Sequence, residues 1–457
     1  MSIKRVLVAN RGEIAVRIIR AAHALGIEAV QAVSAADRDS LAARLADQVV
    51  VLGPAPSKQS YLDARLVVHA ARSTGCDALH PGYGFLSERA ALARLCAEHD
   101  ITFVGPEADI IDALGDKLRA RAIAEDAGVP LVPGTDQIAS PAEARKAAAK
   151  LGYPVVMKAS AGGGGRGMFV ARDDASIDAS FDRASSEALE AFGDGTLYME
   201  RYVENARHVE VQAAGDGAGR VVHFGERDCS VQRRYQKVVE EAPCALMPEA
   251  LRSELHASAV KLLSKLKYKN AGTVEFLYDV ERGAFYFIEV NTRIQVEHPV
   301  SEQVTGFDLV QTQFRIAGGE AGALPRQDQV RLARHAIECR LNAEDAANNF
   351  LPSPGRITHW SPPAGAGIRV DSHCTDGYLV PPYYDSMIGK LVVTAHDRPS
   401  CVARLADALD DFAIEGLTTN LPLLRYIARH EDFITNNFHT RWLEQTLLPA
   451  FEQSIKE

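Results

Sequence analysis

The sequence predicts a multidomain chain of mixed α/β and α+β architecture, and three observations carry that prediction. Strand and helix patterns alternate from the first residues to about Pro106. A glycine-rich run near residue 163 sits between two short apolar strands. Two strands of alternating polarity meet at a turn containing Gly283. At about 100–200 residues per domain, 457 residues leave room for two to four such units.

Residues 6–9 form a short apolar strand, and Asn10, Arg11, Gly12 and Glu13 a turn. Residues 14–25 have helical apolar spacing, Gly26 stops the helix, and 27–33 is the next strand. A dinucleotide fold needs GxGxxG at the first turn, and only Gly12 is present, so this is a Rossmann-like layer without the cofactor loop. Residues 101–104 end the alternation and 107–132 are helical, until Pro133 and Gly134 break the pattern. Residues 135–203 read as a small α+β unit, with a helix at 141–151 and strands at 154–159, 168–171 and 196–203. Further strands and two helices fill 204–330. A Pro- and Gly-rich stretch at 352–367 precedes short strands and helical runs at 398–410 and 419–430.

Composition narrows the function. Fifty Lys+Arg against 60 Asp+Glu give a formal charge of −10, which argues against a nucleic-acid surface. Seven cysteines at 76, 96, 229, 244, 339, 374 and 401 include no CxxC pair, so neither a disulfide framework nor a zinc site is expected. The first 20 residues are too interrupted by charge for a signal peptide, and no apolar run reaches membrane-spanning length. A soluble cytoplasmic protein is expected.

Gly162, Gly164 and Gly167 satisfy GxGxxG literally, but residues 168–171 read as a strand rather than a helix, so the dinucleotide reading fails on context. Walker A fails as well, because Met168 and Phe169 follow Gly167. A glycine hairpin remains, with Gly163, Gly164, Gly165 and Gly167 free to bring backbone N–H groups close to a polyphosphate and Lys158 at the end of the first strand. A flexible linker is the alternative, and the flanking apolar strands argue against it.

The acidic hairpin is the stronger signal. Folded symmetrically about Arg282, it sets Glu275 opposite Glu289 and Thr273 opposite Asn291. The even positions Val274, Phe276, Tyr278, Tyr286, Ile288 and Val290 would form an apolar face, and the run 286–290 is too apolar for a peripheral strand. Opposed carboxylates require a cation between them, and Mg²⁺ shared with nucleotide phosphates fits. Continued in extended form, the same parity aligns Asn291, Arg293, Gln295 and Glu297. Two weaker signals are the cations Arg233, Arg234 and Lys237, and the alternating stretch from Arg207 to Gln212. No nucleophile-elbow or zinc-ligand pattern occurs.

Taken together, residues 9–14, 80–88, 158–168, 226–243, 287–299 and 381–390 resemble biotin carboxylase, a member of the ATP-grasp family, over nearly the whole chain. The resemblance implies a Rossmann-like N-terminal domain (1–113), a central ATP-grasp domain (114–330) with a mobile glycine-rich lid at about 132–203, and a C-terminal biotin carboxylase domain (331–446). It implies that Lys117 and Lys158 hold ATP phosphates, and that Glu200, Arg201 and Val203 line the adenine pocket with His208 and Gln232 nearby. Glu275, Glu289 and Asn291 would bind two Mg²⁺ or Mn²⁺ ions. Lys237, Arg293, Gln295 and the Val296 backbone would hold bicarbonate, Glu297 would be the base, and Arg340 with Tyr83 would serve the biotin side.

Three departures, Tyr235 for His, Arg201 for Lys and Val203 for Leu, lie where the resemblance places the nucleoside. No Met-Lys-Met carrier sequence occurs, so the resemblance implies a separate biotin carboxyl carrier protein, a carboxyltransferase component and a homodimer. Acetyl-CoA carboxylase is the preferred setting, with acyl-CoA, pyruvate or urea-type carboxylases as alternatives. Two further rivals are another ATP-grasp ligase and a catalytically impaired, nucleotide-sensing assembly subunit.

Overall fold

The computed structural model describes residues 3–159 and 168–456. Strands β1 (Arg5–Val8), β2 (Glu28–Ser34), β3 (Gln48–Gly53), β4 (Ala78–His80) and β5 (Thr102–Phe103) form a parallel sheet in the order β3-β2-β1-β4-β5. Val6, Leu7 and Val8 are fully buried, as a central parallel strand covered on both faces must be. The helix Gly12–Ala24 lays Ile14, Ile18 and Ile19 on one face of that sheet. The anticipated turn is locked from outside: the Asn10 amide donates to the carbonyls of Pro81 and Tyr83, each at 2.7 Å. Gly82, at φ +63°, accommodates that contact; a Cβ there would meet Asn10 Nδ2 at 2.8 Å. The two stretches at 9–14 and 80–88 are therefore one structural unit.

An antiparallel sheet follows, built from β6 (Gly134–Ile138), β7 (Val155–Ala159), β8 (Met168–Ala171) and β9 (Leu197–Arg201) in the order β6-β9-β7-β8. Lys158 pairs with Met168, so β7 and β8 are the two arms expected around the glycine run. Gly163, Gly164, Gly165 and Gly167 lie outside the described residues. The helix at Pro141–Leu151 is where the periodicity put it, but the helix Asp174–Phe192 was not anticipated. Its buried face is Ile177, Phe181, Ala184 and Ala188, about one residue per turn and half of it alanine, which gives a faint apolar period.

The largest sheet contains β10 (Ala206–Asp216), β11 (Val221–Arg233), β12 (Gln236–Ala242), β13 (Lys269–Asp279), β14 (Ala284–Asn291) and β15 (His335–Asn342), followed by the strands Met387–Ala395 and Ile368–Ser372. Its order is β14-β13-β10-β11-β12-β15, then Met387–Ala395, then Ile368–Ser372. The β13–β14 register sets Glu275 opposite Glu289 and Thr273 opposite Asn291, as a hairpin symmetric about Arg282 requires.

Three expectations about this hairpin are corrected. A bulge after Glu275 pairs Phe276 with Phe287, leaving Ile288 as the extra residue of β14 and 40% exposed. Phe285 and Phe287, rather than Tyr286 and Ile288, join Val274, Phe276, Tyr278 and Val290 in the core. Two phenylalanines bury more apolar surface than the pair they displace, and both rings pack edge-on against Phe276. Second, β14 is the edge of its sheet; its outer side is covered at Phe287, whose N–H donates to the Pro130 carbonyl at 2.8 Å. Third, the chain does not stay extended past Asn291 but turns at Glu297 into the helix His298–Thr305. Among the described residues, no helix is long and apolar enough to cross a membrane.

Candidate active site

The site is founded on sheet register. Glu289, Glu275, Glu210 and Arg227 are successive cross-strand partners on β14, β13, β10 and β11, which places three carboxylates and a guanidinium in one line. Opposed carboxylates destabilise a sheet unless cations intervene. Two do. Lys237, from β12, extends its Nζ to Glu210 Oε2 at 2.5 Å, Glu275 Oε1 at 3.1 Å and Glu297 Oε1 at 2.5 Å. Arg227 is fully buried and donates to Glu210 at 2.6 Å, Gln212 at 2.7 Å, Ser301 at 2.9 Å, Gln295 at 2.5 Å and Thr273 at 3.3 Å. Burial by itself pushes these carboxyls up, but Lys237 and Arg227 bring Glu210 down to about 2, and Lys237 with His208 holds Glu275 well below the usual range.

Glu297 is 2% exposed and sits between two cations. Lys237 takes one of its oxygens, and Arg340 Nη2 donates to the other at 2.9 Å. Against the upward push of burial, these neighbours keep its carboxyl below the usual range. The two cations thus favour its ionised form in a place almost closed to solvent. Arg340 is itself fixed by Glu240, its Nε donating at 2.6 Å. Burial lifts Glu240 to about 7 despite Arg340. Arg293 turns to Glu88 at 3.0 Å and to Asn291 Oδ1 at 3.0 Å. Gln295 bridges Arg227 and Glu275, donating to the latter at 3.0 Å. The Val296 carbonyl accepts from Lys390 at 2.6 Å. The structure thus gathers Lys237, Gln295, Glu297 and Arg340 around one point, with Arg293 and Asn291 beside the acidic row, although an unbroken strand does not align them.

The acidic row suits a hard divalent cation. Burial and the neighbouring Glu275 raise the Glu289 carboxyl, and only Lys117, 3.7 Å away, and His208 oppose them. A cation on that oxygen would remove the repulsion, and carboxylate oxygens such as those of Glu275 and Glu289 are the hard donors that Mg²⁺ or Mn²⁺ takes. Asn291 donates Nδ2 to Glu275 at 2.8 Å, so its oxygen is turned to Arg293; an amide flip presents it to the ion.

Lys158 pairs with Glu200 at 2.5 Å, and Arg121 bonds the same buried carboxylate. Arg201, next on β9, projects its side chain to the opposite face and donates to the Leu151 carbonyl at 3.4 Å. His208 Nε2 lies 2.9 Å from Glu275 Oε2, on the acidic row. Val203 is buried and Gln232 lies opposite Lys237. Tyr235 is 60% exposed in the β11–β12 turn at φ +65°.

Glu210, Arg227, Glu240 and Glu88 were not singled out from the sequence. Glu210 lies in a stretch whose alternation is visible, whereas Arg227 stands outside both that stretch and the cation run at 233–237. Replacing Arg227 with Met should cost about 3–5 kcal/mol, because the buried Glu210 then keeps one cation and Gln212, Thr273 and Gln295 lose their donor. Denaturant titration reads the loss. A change under about 1 kcal/mol contradicts a structural role for this guanidinium.

Three family models match the chain: Biotin carboxylase, N-terminal domain, over residues 2–111; Carbamoyl-phosphate synthase L chain, ATP binding domain, over 116–324; and Biotin carboxylase C-terminal domain, over 338–445. Biotin carboxylase 1 of Bacillus subtilis is 48% identical across 97% of this chain and 98% of its own. The crystal structure of a biotin carboxylase–βγ-ATP complex from Campylobacter jejuni superposes with a TM-score of 0.92 at 47% identity, covering 97% of this chain and 99% of that one. The biotin carboxylase domain of the Hydrogenobacter thermophilus 2-oxoglutarate carboxylase, a dimer in complex with MgADP, ADP and bicarbonate, gives 0.91 at 45% identity, covering 99% of each chain.

Proposed function

Since the chain belongs to the biotin carboxylase family, we propose that it uses ATP and bicarbonate to carboxylate biotin carried on a separate biotin carboxyl carrier protein, as the first half-reaction of a biotin-dependent carboxylase. The observation that carries this reading is the Glu297 carboxylate, buried and held ionised between Lys237 and Arg340 beside an acidic row fit for divalent cations.

Glu297 takes the bicarbonate proton, and the freed oxygen attacks the γ-phosphorus of ATP as ADP departs, giving carboxyphosphate. Lys237, Arg293, Gln295 and the Val296 backbone hold the bicarbonate, and Lys117 and Lys158 draw charge from the phosphates. Mg²⁺ or Mn²⁺ held by Glu275, Glu289 and Asn291 would neutralise the charge that builds on phosphoryl oxygens. Carboxyphosphate yields CO₂ and phosphate; the phosphate removes the ureido N–H proton of biotin, Arg293 stabilises the enolate, and the nitrogen bonds to CO₂. Arg340 and Tyr83 position the biotin side. Exclusion of water by a lid over 132–203 protects the labile intermediate.

The proposal extends to organisation: domains at 1–113, 114–330 and 331–446, a homodimer, a carboxyltransferase partner and a cytoplasmic setting. Acetyl-CoA carboxylase, and thus fatty acid synthesis, is the preferred home, although the resemblance to a 2-oxoglutarate carboxylase domain keeps other acceptors open. Bicarbonate-dependent ADP release by the purified protein should rise on addition of free biotin, with carboxybiotin formed. Indifference to biotin would favour an amine- or thiol-directed ATP-grasp ligase, and absence of any turnover an assembly subunit.

A further inference from the structure

The stretch 381–390 resembles the family and ends in Lys390, yet no step above uses it. Lys390 lies on the strand Met387–Ala395, directly opposite Arg340 on β15, and its side chain is fully buried. Its Nζ donates to the Val296 carbonyl at 2.6 Å and pairs with Glu13 Oε1 at 3.1 Å. The Tyr83 hydroxyl donates to that same Glu13 oxygen. Glu13, in the first turn of the helix Gly12–Ala24, is also fully buried, and its second oxygen has no hydrogen-bond partner among the described residues. One continuous path therefore runs from Val296 through Lys390 and Glu13 to Tyr83, joining four segments remote in sequence. The peptide whose carbonyl Lys390 holds also carries the N–H of Glu297, so the same bond fixes the main chain of the base.

Stability does not account for this arrangement. A buried ion pair is often no more stabilising than apolar side chains of similar volume, because desolvation offsets the attraction. What an apolar pair cannot supply is direction: an ammonium that grips a carbonyl on one side and a carboxylate on the other sets the distance between their owners. We propose that Lys390 is a positioning residue that fixes the bicarbonate-side backbone at Val296 relative to the biotin-side hydroxyl of Tyr83. The proposal rests on the reading of the site given under the proposed function. Its consequence is coupling: carboxyphosphate forms at one end of the strut and its CO₂ must be captured at the other, before it escapes.

Lys390→Met in the full chain tests this with two readouts, kcat/KM for free biotin and ADP released per carboxybiotin formed. A misplacement of about 1 Å can cost about 100-fold, so kcat/KM for biotin should fall by about that factor. Bicarbonate-dependent ADP release without biotin should fall less, because Lys237 and Arg340 still hold the Glu297 carboxylate in place, and the ADP-to-carboxybiotin ratio should rise. Partial unfolding lowers both activities together and leaves the ratio alone. Tyr83→Phe should shift the ratio in the same direction, and the double variant should be no worse than the worse single one, as residues on one path are non-additive. If Lys390→Met does not fold, Glu13→Gln, which keeps volume and an acceptor oxygen but removes the charge, carries the same test. An unchanged ratio in a folded variant overturns the proposal while leaving the site reading intact. A parent protein without biotin-dependent turnover overturns both.

Discussion

Glu297→Gln should abolish bicarbonate-dependent ATP cleavage while nucleotide binding survives. The substitution preserves volume and leaves one oxygen to accept from Lys237 or Arg340, so the site keeps its shape. What it removes is the base. General-base removal costs about 10²–10⁴-fold, and the neighbouring carboxylates have other work: Glu210 neutralises the fully buried Arg227, and Glu275 is bonded by Lys237, His208, Asn291 and Gln295. Nucleotide affinity should be retained because the side chains of Lys117, Lys158 and Glu200 make no contact with Glu297. A coupled assay for ADP release and a nucleotide titration check the two halves. Carboxybiotin formation at an undiminished rate would remove Glu297 from its role.

Lys237→Met should be as damaging to activity and should also move the pH profile. In the parent protein Glu297 is held below the usual carboxylate value of 4.5, so the base is ionised throughout the neutral range and the acid limb of kcat/KM lies below that value. Without the ammonium, Glu210, Glu275 and Glu297 face one another with one cation fewer, and their carboxyls rise. The acid limb then moves towards neutrality, and part of the lost activity returns as pH is raised.

Stability moves oppositely. Carboxyls depressed on folding contribute stability that is present above the unfolded value and lost as pH falls through the folded one. The variant forfeits that contribution, about 3–5 kcal/mol for a broken buried pair, so its deficit is largest near neutral pH and narrows on acidification. An acid limb that stays in place would show that Lys237 does not set the ionisation of Glu297.

How much of the site was legible depends on how far apart its parts lie in sequence. Glu275 and Glu289 could be set opposite each other by counting from Arg282, because hairpin register follows from turn position. Counting failed at the bulge: Ile288 could be moved out only because Phe285 and Phe287 gain more by burial against Phe276, and that depends on what lies behind the hairpin. Glu210 was visible as part of an alternating stretch, yet nothing local says that β10 lies beside β13 with Glu210 against Glu275. A side chain's face is set by its strand, but the pocket it meets is set by the neighbours that strand acquires.

The sequence by itself determined the α/β and α+β class, the glycine-bearing strand pair, the register of the acidic hairpin near its carboxylates and the family to which the chain belongs. These are short-range properties: period, turn position and residue type within a few dozen positions. Only the tertiary structure decided that Lys237 bridges three carboxylates, that Arg340 takes the second oxygen of Glu297, that Arg227 anchors five partners, and that Lys390 ties Val296 to Glu13. Each of these joins residues from different strands, helices or turns, and a charge in an isolated sequence reads as solvated. It becomes a buried, directed group only when packing removes the water and leaves other side chains as its partners.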